Sequence, residues 1–96
     1  MGKSEDFSKV IKVVTELTEV TDQDIIGRSR RQDVVDARWM VITLMRDKGY
    51  STRQIAHLML KPERTVNNAL CQFSDRVKYS YNQLGCMLAL ARQQLL

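Results

Sequence analysis

Six polar side chains between residues 61 and 68 are of types that recognise the edges of nucleic-acid bases. Arginine can make paired hydrogen bonds to guanine and asparagine to adenine, while threonine can bond to a base or touch the thymine methyl group. Glutamate can accept a hydrogen bond from cytosine N4. Val66, Ala69 and Leu70 lie among them at helical spacing, which predicts one helix with a packed apolar side and an exposed polar side. The six polar residues are Lys61, Glu63, Arg64, Thr65, Asn67 and Asn68.

A second, shorter helix is predicted immediately before this one. The stretch STRQ (51–54) has the pattern of a capping box, and apolar residues follow it at helical spacing. Pro62 should end this helix, because the residue before a proline is pushed out of the helical region, and it can open the next one. Two helices with a tight turn over about residues 51–79 match the helix-turn-helix pattern, in which the second helix enters the major groove of DNA.

The start of the short helix is itself a candidate contact. The first N–H groups of a helix have no partner within it and, together with the helix dipole, favour an anion. Ser51 and Thr52 therefore mark a candidate phosphate site, with Arg53 beside them. Similar two-helix geometry also occurs in helical bundles that never touch DNA, so the motif alone leaves both roles open.

Helical periodicity continues along the rest of the chain, and no segment alternates as a half-buried strand does. One turn of helix ends at Gly27, a long helix runs from about Gln32 to Asp47, and a C-terminal helix spans about 81–95. A chain of 96 residues suits a single hydrophobic core. We therefore predict one all-α domain over 1–96, a small bundle of five to six helices.

Positive charge is concentrated in the middle of the chain. Residues 1–26 hold three lysines and six acids, whereas residues 27–66 hold nine basic residues and four acids. Residues 67–96 hold three basic residues and one acid. The basic linker GRSRR (27–31) opens the middle part. This distribution favours a polyanion as partner, nucleic acid before a membrane surface, although a basic face can also be merely solvated.

The sequence has few residues suited to metal binding, catalysis or membrane insertion. Two cysteines and one histidine, His57, cannot supply the four ligands of a structural zinc site, and no cofactor is expected. Cys71 and Cys86 lie in apolar runs, which predicts buried, reduced thiols. No serine or cysteine has a recognisable nucleophile setting, so we do not expect an enzyme. No run is long enough to span a bilayer and no secretory signal is visible, so we expect a cytoplasmic, nucleoid-associated protein with no membrane partner.

An ordered set of features over roughly residues 7 to 80 resembles the C-terminal DNA-binding domain of the bacterial replication initiator DnaA. The features are a first helix ending in VTDQDIIG, the basic stretch GRSRR, a long helix entered through VVDAR, a Ser-headed helix with QIA, and a helix beginning RTVNNAL. Several are generic singly, and their order carries the resemblance. It implies an all-α fold of the Trp-repressor-like class with a helix-turn-helix, and double-stranded DNA as the ligand.

The resemblance also implies roles for basic residues. Arg30, or its neighbour Arg28 or Arg31, matches the residue that enters the minor groove in the family. Arg38 matches the arginine of the family's long helix, near the phosphate backbone. Arg46 falls where the family has a basic residue that contacts a phosphate.

Further roles are implied for the two-helix part. Ser51 and Thr52 match the phosphate-facing start of the family's short helix. Lys61 resembles the arginine of the family's signature turn, and Thr65 resembles the last threonine of that signature. The residues that we predict to enter the major groove are Arg64, Thr65 and Asn68.

The turn between the two helices departs from the family. The signature there reads Gly-Gly-Arg-Asp-His-Thr-Thr-Val, whereas this chain reads LKPERTV over residues 60–66, one residue shorter. The glycine pair is absent, and Pro62 and Glu63 stand in place of the Asp-His pair that reads bases. We therefore expect a DNA target different from that of the initiator. No G-x-x-x-x-G-K-[ST] loop is present, so no ATPase domain is expected in these residues.

The alternative is a helical protein–protein interaction module that kept the fold and lost DNA binding. Trp39 stands where the family usually has a polar residue, and it is either an exposed partner contact or part of the core. The apolar C-terminal run MLALARQQLL could also close a homodimer, which would combine the two hypotheses.

Overall fold

Helix is the only regular secondary structure in the part of the chain that the structure describes. The computed structural model describes residues 3–79 and 84–95. The predicted all-α bundle is confirmed, and none of these helices is long and apolar enough to cross a membrane. The six described helices are α1 (Lys3–Thr18), α2 (Asp22–Ile26), α3 (Gln32–Asp47), α4 (Thr52–Met59), α5 (Glu63–Tyr79) and α6 (Leu84–Gln94).

The central helix of the bundle is α3, which contacts each of the other five. It can do so because apolar side chains cover most of its circumference. It has the predicted bounds, Gln32 and Asp47, and Gly49 follows with a φ of 99°, a left-handed conformation that glycine adopts without steric cost. The buried residues of α3 are Val34, Ala37, Arg38, Met40, Val41, Ile42, Leu44 and Met45.

Caps set the bounds of α4 and α5. Ser51 Oγ accepts the backbone N–H of Gln54 at 3.2 Å, and Gln54 Oε1 accepts that of Ser51 at 2.9 Å, so both bonds of the predicted capping box are formed. The carbonyl of Pro62 accepts the N–H of Thr65 at 3.0 Å and that of Val66 at 3.2 Å, which are the first hydrogen bonds of α5. The two short-range predictions, a helix headed by Ser51 and a second helix opened by Pro62, are thereby confirmed.

The prediction of buried thiols is wrong, because both Cys71 and Cys86 are exposed. In α5 the buried positions are Val66, Ala69 and Phe73. Residue 71 lies two positions from each of the last two, which places it on the opposite side of a helix with 3.6 residues per turn. The same geometry exposes Cys86, which follows the buried Leu84 by two positions.

Two polar contacts hold the outer helices against α3 and its following turn. The Tyr50 hydroxyl donates to the Asp6 carboxylate, which ties α1 to the segment before α4 and raises the pKa of Tyr50. Arg92 Nε donates to Asp47 Oδ2 at 2.6 Å, which ties α6 to the end of α3. The C-terminal helix predicted at about 81–95 is confirmed over Leu84–Gln94, whereas residues 81–83 lie outside the described ranges.

Candidate nucleic-acid interface

The exposed face of α5 carries the polar residues that the sequence singled out. Arg64, Asn67 and Asn68 are exposed and Thr65 is half-buried. Together with Cys71 they line one shallow groove along the helix. This face points outward because Val66, Ala69 and Phe73 anchor the other side of the helix in the core.

One hydrogen bond orders part of this face. Gln72 Nε2 donates to Asn68 Oδ1 at 2.8 Å, a pair of side chains four positions apart on the helix. The bond uses one lone pair of the Asn68 oxygen and leaves its amide N–H groups for another acceptor. The Asn68 side chain is therefore oriented before any ligand arrives.

An ion pair and an aromatic contact fix α5 against α3. Arg76 donates through Nε and Nη2 to the Asp36 carboxylate, with 3.0 Å between Nη2 and Oδ2. The ring of Trp39 meets that of Phe73 edge to face, with centroids 6.3 Å apart and an interplanar angle of 82°. Trp39 is half-buried through this contact and so belongs partly to the core. A partner contact through Trp39 stays a prediction.

The guanidinium of Arg38 lies inside the protein, with 8% of the residue exposed. Its Nε donates to the carbonyl of Ile25 at 2.7 Å and its Nη1 to that of Ser29 at 3.1 Å. Its Nη2 donates to the carbonyls of Asp24 and Gly27, both at 3.0 Å.

The assignment of Arg38 to the phosphate backbone is therefore wrong. The last carbonyls of a helix lack hydrogen-bond donors within the helix. For α2, the guanidinium of Arg38 supplies these donors. Burial lowers the pKa of the Arg38 guanidinium, an effect that the Asp24 carboxylate opposes. Arg38 thus positions the basic linker 27–31 instead of contacting a ligand.

Lys61 connects this linker to the turn before α5. Its Nζ donates to the carbonyl of Gly27 at 2.7 Å, across 34 positions of sequence. Partial burial and then the positive charges of Arg38 and Arg28 lower the pKa of Lys61 below its usual value. The Lys61 ammonium is half-buried and already has an acceptor, so it holds the linker beside the start of α5 and adds to the positive field there.

The three arginines of the linker are exposed. Arg31 also lies near two carboxylates, with Nε 3.3 Å from Asp33 Oδ1 and Nη2 3.9 Å from Asp24 Oδ2. Exposed ion pairs of this kind contribute little, at most about 1 kcal/mol, so they do not prevent Arg31 from meeting another anion. The positive charges of Arg28 and Arg30 are therefore accessible from solvent.

Arg46, Ser51 and Thr52 form a separate group at the start of α4. Arg46 is exposed, and its Nη1 donates to the carbonyl of Tyr50 at 3.0 Å, immediately before the cap. Ser51 is exposed and Thr52 half-buried. The group has the exposure that a phosphate contact needs, and its role stays a prediction.

Sequence reasoning missed three features of this region. They are the bond from Lys61 to Gly27, the pairing of Arg76 with Asp36, and the exposure of Leu60 in the turn. The first two join positions more than thirty residues apart, for which the sequence has no local signal. Over the described residues, no group of three or more His, Cys, Asp and Glu side chains is arranged to hold a metal ion.

No protein-family model, curated protein or solved structure matches the chain. The resemblance to the DnaA C-terminal domain therefore rests on the order of sequence features alone and stays a prediction.

Proposed function

We propose that the protein binds double-stranded DNA, with α4, the turn 60–62 and α5 acting as a helix-turn-helix. The observation that carries the proposal is the bond from Lys61 Nζ to the Gly27 carbonyl, which holds the basic linker beside the exposed start of α5. A face that can read bases and a segment that can neutralise phosphates are then neighbours. α5 enters the major groove through Arg64, Thr65 and Asn68, and the linker reaches the adjacent minor groove.

The distribution of exposed charge agrees with this docking. Arg28, Arg30 and Arg64 are exposed on or near the proposed surface, whereas the excess of acidic residues lies in 1–26. A DNA duplex would be attracted to one side of the molecule and oriented by it. The cations that can neutralise phosphates are Arg28, Arg30, Arg31, Lys61 and Arg64 around the turn before α5, together with Arg46 in the separate group at the start of α4.

The affinity for a duplex should fall steeply with salt. If these six cations neutralise phosphates, the logarithm of the association constant should fall against the logarithm of the salt concentration with a slope of roughly −5. Fluorescence anisotropy of a labelled random-sequence duplex at several salt concentrations measures it. A slope near zero would contradict the proposal, because a polyanion bound through these cations must release counterions.

Cys71 provides a direct probe of the proposed surface. It is exposed and lines the same groove as Arg64, Asn67 and Asn68, so a bound duplex should slow its alkylation by a bulky maleimide at least about tenfold under saturating DNA, as expected from occupancy. Cys86, which is also exposed but lies on α6, is the internal control and should react at an unchanged rate.

Mass spectrometry of the two cysteine-containing peptides separates the two rates in one sample. Equal reactivity of Cys71 with and without a bound duplex would show that DNA lies elsewhere. Protection of Cys86 alone would move the interface to α6 and refute the proposed use of α5.

A further inference from the structure

Leu60 is the most exposed of the large hydrophobic residues described, with 76% of its surface accessible to solvent. It also has a left-handed backbone, with φ 58° and ψ 41°. Among the residues that the structure describes, the other exposed large hydrophobic residue is Leu90, at 48%, on α6. Leu60 lies in the turn between α4 and α5.

The fold does not need a leucine at this position. The turn closes through backbone groups, with the N–H of Leu60 bonding to the His57 carbonyl at 3.3 Å and that of Lys61 to the Ala56 carbonyl at 3.0 Å. Glycine makes the same bonds and adopts the left-handed conformation without the clash that a Cβ brings. The exposed side chain gains little from burial, so neither the backbone nor the core accounts for it.

The surroundings of Leu60 are those of the proposed DNA surface. The next residue is Lys61, whose ammonium lies beside the Gly27 carbonyl and within electrostatic range of Arg28. Arg64 follows in the first turn of α5. An apolar side chain therefore projects from the turn that leads into the base-reading helix, with positive charges around it.

We infer that Leu60 contacts the 5-methyl group of thymine in the major groove and so contributes to the choice of DNA sequence. The inference rests on the proposed function. The thymine methyl is the apolar group that base edges present in the major groove, and the cations around Leu60 bring it to a polyanion. A residue kept in a conformation that its type disfavours is often one that acts on a ligand.

The test uses duplexes enriched by the wild-type protein from a random pool, each prepared once with thymine and once with deoxyuridine. Deoxyuridine removes the methyl group and keeps the hydrogen-bonding edge. The wild type should bind the thymine form about fourfold more tightly, the factor typical of burying one methyl group. Leu60→Gly should bind both forms alike, at the level of the wild type on deoxyuridine, and should unfold in urea no more easily than the wild type.

Leu90→Ala is the matched control, because it removes an exposed leucine on α6, away from the turn, and should keep the fourfold preference. If the wild type binds the thymine and deoxyuridine forms equally well, the inference about Leu60 is refuted, whereas the proposed DNA binding stands. A preference that persists in Leu60→Gly would also refute the inference, by showing that another residue meets the methyl group. If the protein retains DNA from the pool but enriches no sequence, the role of Leu60 is refuted and DNA binding itself stands. If it retains no DNA from the pool, the proposed function is refuted as well.

Discussion

Arg38→Met is expected to lower the free energy of unfolding by about 3 kcal/mol, a large part of the stability of a domain of this size. Methionine keeps much of the volume but donates no hydrogen bond, so the carbonyls of Asp24, Ile25 and Ser29 lose the donor that Arg38 supplies, while that of Gly27 keeps its bond from Lys61. Buried polar groups left without a partner carry the full cost of their desolvation. Urea unfolding followed by circular dichroism measures the change.

Two further substitutions test the physical reason. Arg38→Lys keeps the positive charge but loses the planar, forked set of donors. Its free energy of unfolding should lie between those of the wild type and Arg38→Met. Arg92→Met removes an arginine whose side chain is half exposed in its ion pair with Asp47, and should cost at most about 1 kcal/mol. If Arg38→Met and the wild type had the same urea midpoint of unfolding, water would be able to replace the guanidinium. Arg38 would then not be what organises the linker.

The double substitution Arg30→Ala with Arg64→Ala is expected to weaken binding of a selected duplex about 100-fold. Each arginine is assigned one close contact, and the loss of a good base or groove contact is worth roughly tenfold or more. Both side chains are exposed, so the fold should survive and the circular dichroism spectrum should stay unchanged. Anisotropy titration at one fixed salt concentration measures the loss.

A matched control removes the same charge elsewhere. Lys9 and Lys12 are exposed on α1, and their replacement by alanine should change duplex affinity by less than about threefold, through the long-range field alone. If the two double variants lose affinity equally, binding is nonspecific attraction to net charge. If neither loses affinity, the duplex is bound through another surface and the assignment of Arg30 and Arg64 is wrong. A wild-type chain that binds no duplex would instead favour the helical interaction module, and partner binding through Trp39 or α6 would become the hypothesis to test.

Local signals in the sequence were sufficient for the secondary structure and for the exposed face of α5. The capping box at Ser51 and the break at Pro62 involve groups within four residues of each other, so the sequence states them directly. The apolar period through Val66, Ala69 and Phe73 likewise fixes which side of α5 packs and which is left outside. The same period, applied to Cys71, would have predicted its exposure.

The roles of the charged residues depended on contacts between distant positions. Arg38 and the arginines of the linker have the same chemistry, and only the packing of α2 on α3 decides that one is enclosed by carbonyls while the others face solvent. Lys61 and Gly27 are neighbours because α2, α4 and α5 all pack on α3. The sequence by itself determined where helices begin and end and which face of each is polar, because those are local interactions. Only the tertiary structure decided which cations remain available to a ligand, because that depends on what each side chain meets once the helices have packed.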